Sequence, residues 1–212
     1  MDIIYQIALY THIISGGVAL FSGTIAMATK KGSKNHKLAG KFFYYSMWFV
    51  IILALYISII KDLSFLLHIG IFAFFQNYNG FRAIKNKTLK PNVFDWIILL
   101  IAGINAAFMI YSMSPVLIAF GCISVLLFYS QIKTYISVLK GKEISKLLWL
   151  NQHIGMMIGS YIATITAFLV VNMGALPGGA HSMTLNIIGW LSPTIILVPL
   201  MIYWQNKYAK EK

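Results

Sequence analysis

Acidic side chains are scarce in this chain: five Asp and Glu stand against 17 Lys and Arg in 212 residues, for a formal net charge of +12. Charged residues of both signs make up only 10%, well under the roughly 25% of soluble domains, which excludes an ordinary water-soluble globule. Cysteine is nearly absent too. The single Cys122 leaves no intrachain disulfide and no Cys-rich metal site. The first residues, MDIIYQ, hold an acid and no Lys or Arg. The basic n-region of a cleavable signal peptide is therefore missing, and the first apolar run is expected to stay attached. No HExxH or comparable metal signature occurs, and no carboxylate lies deep within an apolar run.

What the chain does have is apolar length. Hydrophobic residues reach 59% and the mean hydropathy is +0.77. A membrane-spanning helix needs about 20 apolar residues, and seven such runs can be marked, at about 3–28, 42–60, 63–82, 94–112, 115–136, 147–171 and 184–204. The expectation is an all-α polytopic bundle, with residues 1–212 forming one integral membrane domain and no separate soluble part. Pro115 opens the fifth run. Pro193 and Pro199 interrupt the seventh, where each removes a backbone donor and favours a bend.

The basic residues alternate with the runs. Lys30, Lys31, Lys34, Lys37 and Lys41 follow the first; Arg82, Lys85, Lys87 and Lys90 follow the third. Lys133, Lys140, Lys142 and Lys146 surround the connection between the fifth and sixth, and Lys207, Lys210 and Lys212 follow the seventh. Lys61, beside Asp62, is the one exception. Positive loops stay in the cytoplasm, so the N-terminus is expected outside, the C-terminus inside, and the protein in the inner (cytoplasmic) membrane. The charge thus reports topology, with some attraction to anionic headgroups. A nucleic-acid partner is not implied.

Five histidines stand out against this background. His12 lies nine residues into the first run, and His68 five residues into the third, roughly 13 and 8 Å from the outer face at ~1.5 Å per residue. His153 lies six residues into the sixth run, about 9 Å from the cytoplasmic face by the same rise. His36 and His181 fall in the first-second and sixth-seventh connections. Below His12, Gly16, Ala19, Gly23 and Ala26 form a column of small residues, the pattern that lets helices approach closely. His68 shares a face with Gln76 and Asn79, and His153 with Met157, Ser160 and Thr164; Asn105 in the fourth run adds a further polar group. A lone intramembrane His is as often interhelical glue as a functional group, but ionisable side chains in a membrane commonly mark a site or pathway.

These stretches resemble a bacterial family of predicted multi-span membrane proteins of unknown function. The likeness rests on His12, Gly16, Ala19, Leu20 and Gly23 in the first run and on Lys31, Gly32, His36 and Gly40 in KGSKNHKLAG. It continues with Gly80, Arg82 and Ala83 in NGFRAIK, then with His153, Met157, Ser160 and Tyr161 in HIGMMIGSY. Ile154 and Gly155 depart from the charged or bulky residues expected after that histidine. The resemblance implies membrane location and singles out His12, His36 and His153; it supplies no reaction.

Three functions compete. The first is a membrane redox protein, because paired histidines on facing helices can ligate haem b. His12 with His68 would form an outer pair, and His153 with His36 a weaker inner one. A quinone or other small lipophilic substrate would use a His or Asn near aromatics, for which Phe72, Phe75, Trp149 and Tyr161 are candidates. The second is a hydrolase with His12, His68 and His181 as zinc ligands and Asp62 as base. The seven-span layout is similar to that of the alkaline ceramidase superfamily, although the last run lacks the His-x3-His pair that group needs. The third is a transporter or assembly subunit whose histidines relay protons or only pack.

Overall fold

A computed structural model describes residues 3–174 and 183–209 of the chain. Those residues form seven helices and no strand: α1 (Ile3–Ala28), α2 (Lys34–Ile60), α3 (Ser64–Lys85), α4 (Val93–Tyr111), α5 (Pro115–Leu139), α6 (Leu148–Gly174) and α7 (Met183–Tyr208). Six of the seven are long and apolar enough to cross a membrane; α3 is not among them. Large apolar side chains point outward all around the bundle, including Phe21 at 77% exposure and Leu126 at 68%. Such a surface is untenable in water and is what a lipid-facing bundle presents.

Local signals set the helix ends. Ser33 caps α2, its hydroxyl accepting from the His36 backbone N–H at 3.2 Å, so α2 begins eight residues before the expected apolar run and takes the basic segment into its first turns. Asn92 and Asp95 form a reciprocal capping box at the start of α4. Pro115 occupies the first turn of α5, where its missing N–H costs nothing. Pro193 and Pro199 both lie inside α7.

The least apolar helix holds the central position. α3 packs against α2, α4, α5 and α6, while α6 also meets α1 and α7. Gln76, Asn77 and Asn79 of α3 are at most 2% exposed, and Phe72, Gly80 and Ala83 are buried with them. Its polar content, which takes α3 out of the set of apolar spans, is hidden from lipid by four neighbours, where interhelical hydrogen bonds can satisfy it.

Candidate functional site

In the opposite half of the bundle from all the described basic residues but Lys61, a reciprocal polar pair joins α3 to α4. His68 Nδ1 lies 2.8 Å from Asn105 Oδ1, and Asn105 Nδ2 donates to the His68 carbonyl at 3.1 Å. The second bond fixes which end of the amide is oxygen. An amide oxygen only accepts, so Nδ1 of His68 carries the proton and Nε2 of the neutral ring keeps its lone pair. Nε2 has no partner among the described residues. The imidazole stacks on Phe108 with centroids 5.9 Å apart at 21°. Phe108 is 57% exposed and His68 half-buried, so the ring sits at the lipid-facing seam between α3 and α4. Asn105 itself is buried.

His12 is oriented in the same manner by a different neighbour: its Nδ1 lies 2.9 Å from the Val50 carbonyl of α2. α1 packs on α2 and α6, whereas His68 is anchored to α4. His12 and His68 are thus held by different neighbours, α2 and α4. Half of the small-residue column below His12 faces protein, while a Cβ on Gly16 would meet nothing within 4 Å and Ala26 is half-buried. Ala19 and Gly23 are buried, and a Cβ on Gly23 would run into the Tyr161 ring.

The basic end gathers more of the singled-out residues. His153 Nδ1 donates to the Gly80 carbonyl at 2.8 Å, and His36 Nδ1 donates to the Ala26 carbonyl at 2.8 Å. His36 therefore lies in the first turn of α2 rather than in a loop, because the Ser33 cap starts the helix ahead of it. Met157, one turn beyond His153, covers Gly80: a Cβ there would stand 2.6 Å from its Sδ. Tyr161 shares a 2.6 Å hydrogen bond with Thr24 of α1 and meets Phe43 edge-on. Lys31 sits over the Trp204 ring at 3.9 Å and hydrogen-bonds the Met27 carbonyl; burial lowers its pKa from the usual 10.5.

Sequence reasoning passed over Asp95. Arg82 donates from Nε and Nη2 to its two oxygens, both at 3.0 Å. Tyr78 adds a 2.7 Å bond and the Asn92 backbone N–H one of 2.8 Å. Four donors hold a carboxylate whose side chain is 1% exposed, so this pair is a structural clamp between α3 and α4. The Asn-x-x-Asp spacing was the available signal.

For zinc, the donors do not converge. No three His, Cys, Asp or Glu gather among the described residues, and His181 lies outside them. Of the aromatics expected near a ligand, Phe72, Phe75 and Tyr161 are buried in core clusters, and Trp149 carries Lys87 over its ring at 4.7 Å. The ring that does stack on a histidine is Phe108.

Residues 9–98 match the model of a family described as predicted membrane protein (DUF2306), a membrane family of unknown function. The match runs from α1 into the first turns of α4, covering His12, His36, His68, Arg82 and Asp95 but not His153. No curated protein and no solved structure matches the chain.

Proposed function

We propose that this multi-pass membrane protein is a redox protein of the inner membrane that binds a quinone, or a similarly lipophilic carbonyl compound, against His68. In this reading all seven helices span, with the N-terminus outside and the C-terminus cytoplasmic. The observation that carries the site is the reciprocal His68–Asn105 pair beside a stacked, lipid-exposed Phe108. One hydrogen bond, from Nδ1 to Asn105, holds the imidazole in one tautomer, the His68 carbonyl fixes the Asn105 amide in turn, and the unpaired Nε2 lies at a seam that a membrane-dissolved ring can reach laterally. The neutral nitrogen accepts the hydroxyl hydrogen of a quinol; once protonated, it donates to a quinone carbonyl. Phe108 offers a face for the ring, as offset aromatic pairs do.

The orientation is supported by the basic residues: all the described ones but Lys61 fall at or near one set of helix ends. The reading of α3 as a span is supported by its length and its shielding by four helices. Two measurements on protein purified in mild detergent test the function. A photoreactive azido-quinone should label peptides of α3 and α4 containing His68 or Phe108, and excess unmodified quinone should compete. Labelling confined to other helices contradicts the site. Oxidised and reduced visible spectra with metal analysis test the competing assignment, since haem b on the histidines gives a Soret band and zinc gives a stoichiometric metal.

A further inference from the structure

Two side-chain stripes meet where α2 and α3 pack at the basic end. On α2, Lys37, Lys41, Tyr44 and Trp48 follow the i, i+4, i+7, i+11 spacing of one helix face. On α3, which runs back alongside α2, the residues Lys85, Phe81, Tyr78 and Phe74 repeat the pattern in reverse. The rings meet across the seam. Tyr44 stacks on Phe81 with centroids 3.9 Å apart at 11°, Trp48 meets Phe74 edge-on at 5.3 Å, and Tyr78 lies 6.4 Å from Phe74. Lys85 stands over Phe81, its Nζ 5.5 Å from the centroid, and Lys41 lies one turn before Tyr44, so both cations flank the same stack from the basic end.

An interfacial aromatic belt gathers rings at one depth around a bundle. These rings instead descend a single seam: Phe81 and Phe74 are seven residues apart, roughly 10 Å of helix. One side of the seam is open. α2 and α4 both pack on α3 but not on each other. Phe74 and Phe81 reach α2 while Tyr78 bonds Asp95 of α4, and all three rings are half-buried in the strip between. Lys37, Lys41 and Lys85 are exposed at its mouth. Neither α2 nor α3 contains a carboxylate, and Asp95 is already held by its own donors. What fits this seam carries negative charge at the level of the lysines and an apolar chain below it.

We propose that the α2–α3 seam binds one anionic phospholipid from the leaflet at the basic end. Its phosphate oxygens accept from the ammonium groups of Lys37, Lys41 and Lys85, as charge-assisted bonds, and an acyl chain lies along Trp48, Phe74 and Tyr78. The site is at the other end of α3 from His68 and stands without the quinone reading.

Native mass spectrometry of the full chain, released from mild detergent, tests it by counting the lipid retained after addition of phosphatidylglycerol or phosphatidylcholine with the same acyl chains. Wild type should hold one phosphatidylglycerol and bind phosphatidylcholine far more weakly. Replacing Lys37, Lys41 and Lys85 together by Gln should weaken phosphatidylglycerol binding about tenfold or more. Replacing Lys133, Lys140 and Lys142 together by Gln removes the same charge from the same end of the bundle and should leave binding close to wild type. Glycerol phosphate, a headgroup without chains, should not compete. In a second measurement, phosphatidylglycerol brominated on its acyl chains should quench tryptophan fluorescence more than brominated phosphatidylcholine does, and Trp48→Phe should remove that excess. Equal retention of the two lipids, equal losses in the two triple variants, displacement by glycerol phosphate, or excess quenching that persists in Trp48→Phe overturns the site.

Discussion

Asp95 illustrates how much one side chain carries here. Removing one partner from a buried ion pair leaves an uncompensated charge and costs about 3–5 kcal/mol. Asp95→Asn should therefore lower stability by an amount of that order, while a double replacement of Arg82 and Asp95 by apolar residues of similar volume should recover much of it. Thermal unfolding in detergent checks both. A glycine makes the opposite case, that of space. A Cβ on Gly80 would come within 3.0 Å of the Met157 backbone nitrogen as well as 2.6 Å of its Sδ, and backbone cannot swing away. Gly80→Ala should cost about 1–3 kcal/mol through overpacking, read in the same unfolding experiment. At this scale the sequence was partly legible. Helical spacing put Gln76 and Asn79 on the face of His68, and Ser160 and Thr164 on that of His153, and all four are buried. The acceptor of each ring proton was not legible. Val50, Ala26 and Gly80 contribute backbone carbonyls, which every residue has, and only helix packing selects one.

At the scale of the helix, the apolar runs located the elements because lipid imposes one requirement on every span. α1 occupies the expected residues, 3–28. The early start of α2 escaped hydropathy because lysines and a capping serine, not apolar residues, govern that end. Ser33→Ala should cost roughly 1 kcal/mol and loosen the first turn, seen as faster amide exchange around His36. Just before it, Lys31 offers a pH test. Burial lowers its pKa below 10.5, so folding disfavours its charged form at neutral pH. That penalty fades as pH rises through the folded-state value towards 10.5, because the folded protein releases the proton first. Wild type should then gain stability relative to Lys31→Met over the same rise, measured by melting temperature against pH. A constant difference would contradict burial as the cause. α3 carries the other lesson of this scale: hydropathy alone ranks it last, yet its neighbours bury it most.

Across the whole molecule, the charge distribution is the only topological signal, and it makes a plain prediction. In a background with the exposed Cys122 replaced by Ser, a cysteine at Lys142 should be protected from a membrane-impermeant maleimide in intact cells, and one at Lys61 should react. The reverse pattern would invert the bundle. What the sequence could not supply was convergence. Depth placed His12 and His68 together, but their anchoring to α2 and α4 is a property of the helix arrangement, and so is the stacking of Phe108 on His68 from an adjacent span. The quinone reading rests on that arrangement. An equilibrium titration of the detergent-solubilised protein with a short-chain quinone, followed by tryptophan quenching, tests it most directly. Wild type should saturate at one quinone per chain. His68→Ala should weaken binding about fivefold to tenfold, as expected for one lost hydrogen bond of ~1 kcal/mol or slightly more, Asn105→Leu should weaken it in the same direction, and His12→Ala should leave it unchanged. Non-saturable quenching in wild type, or binding unaltered by both His68→Ala and Asn105→Leu, would contradict the account.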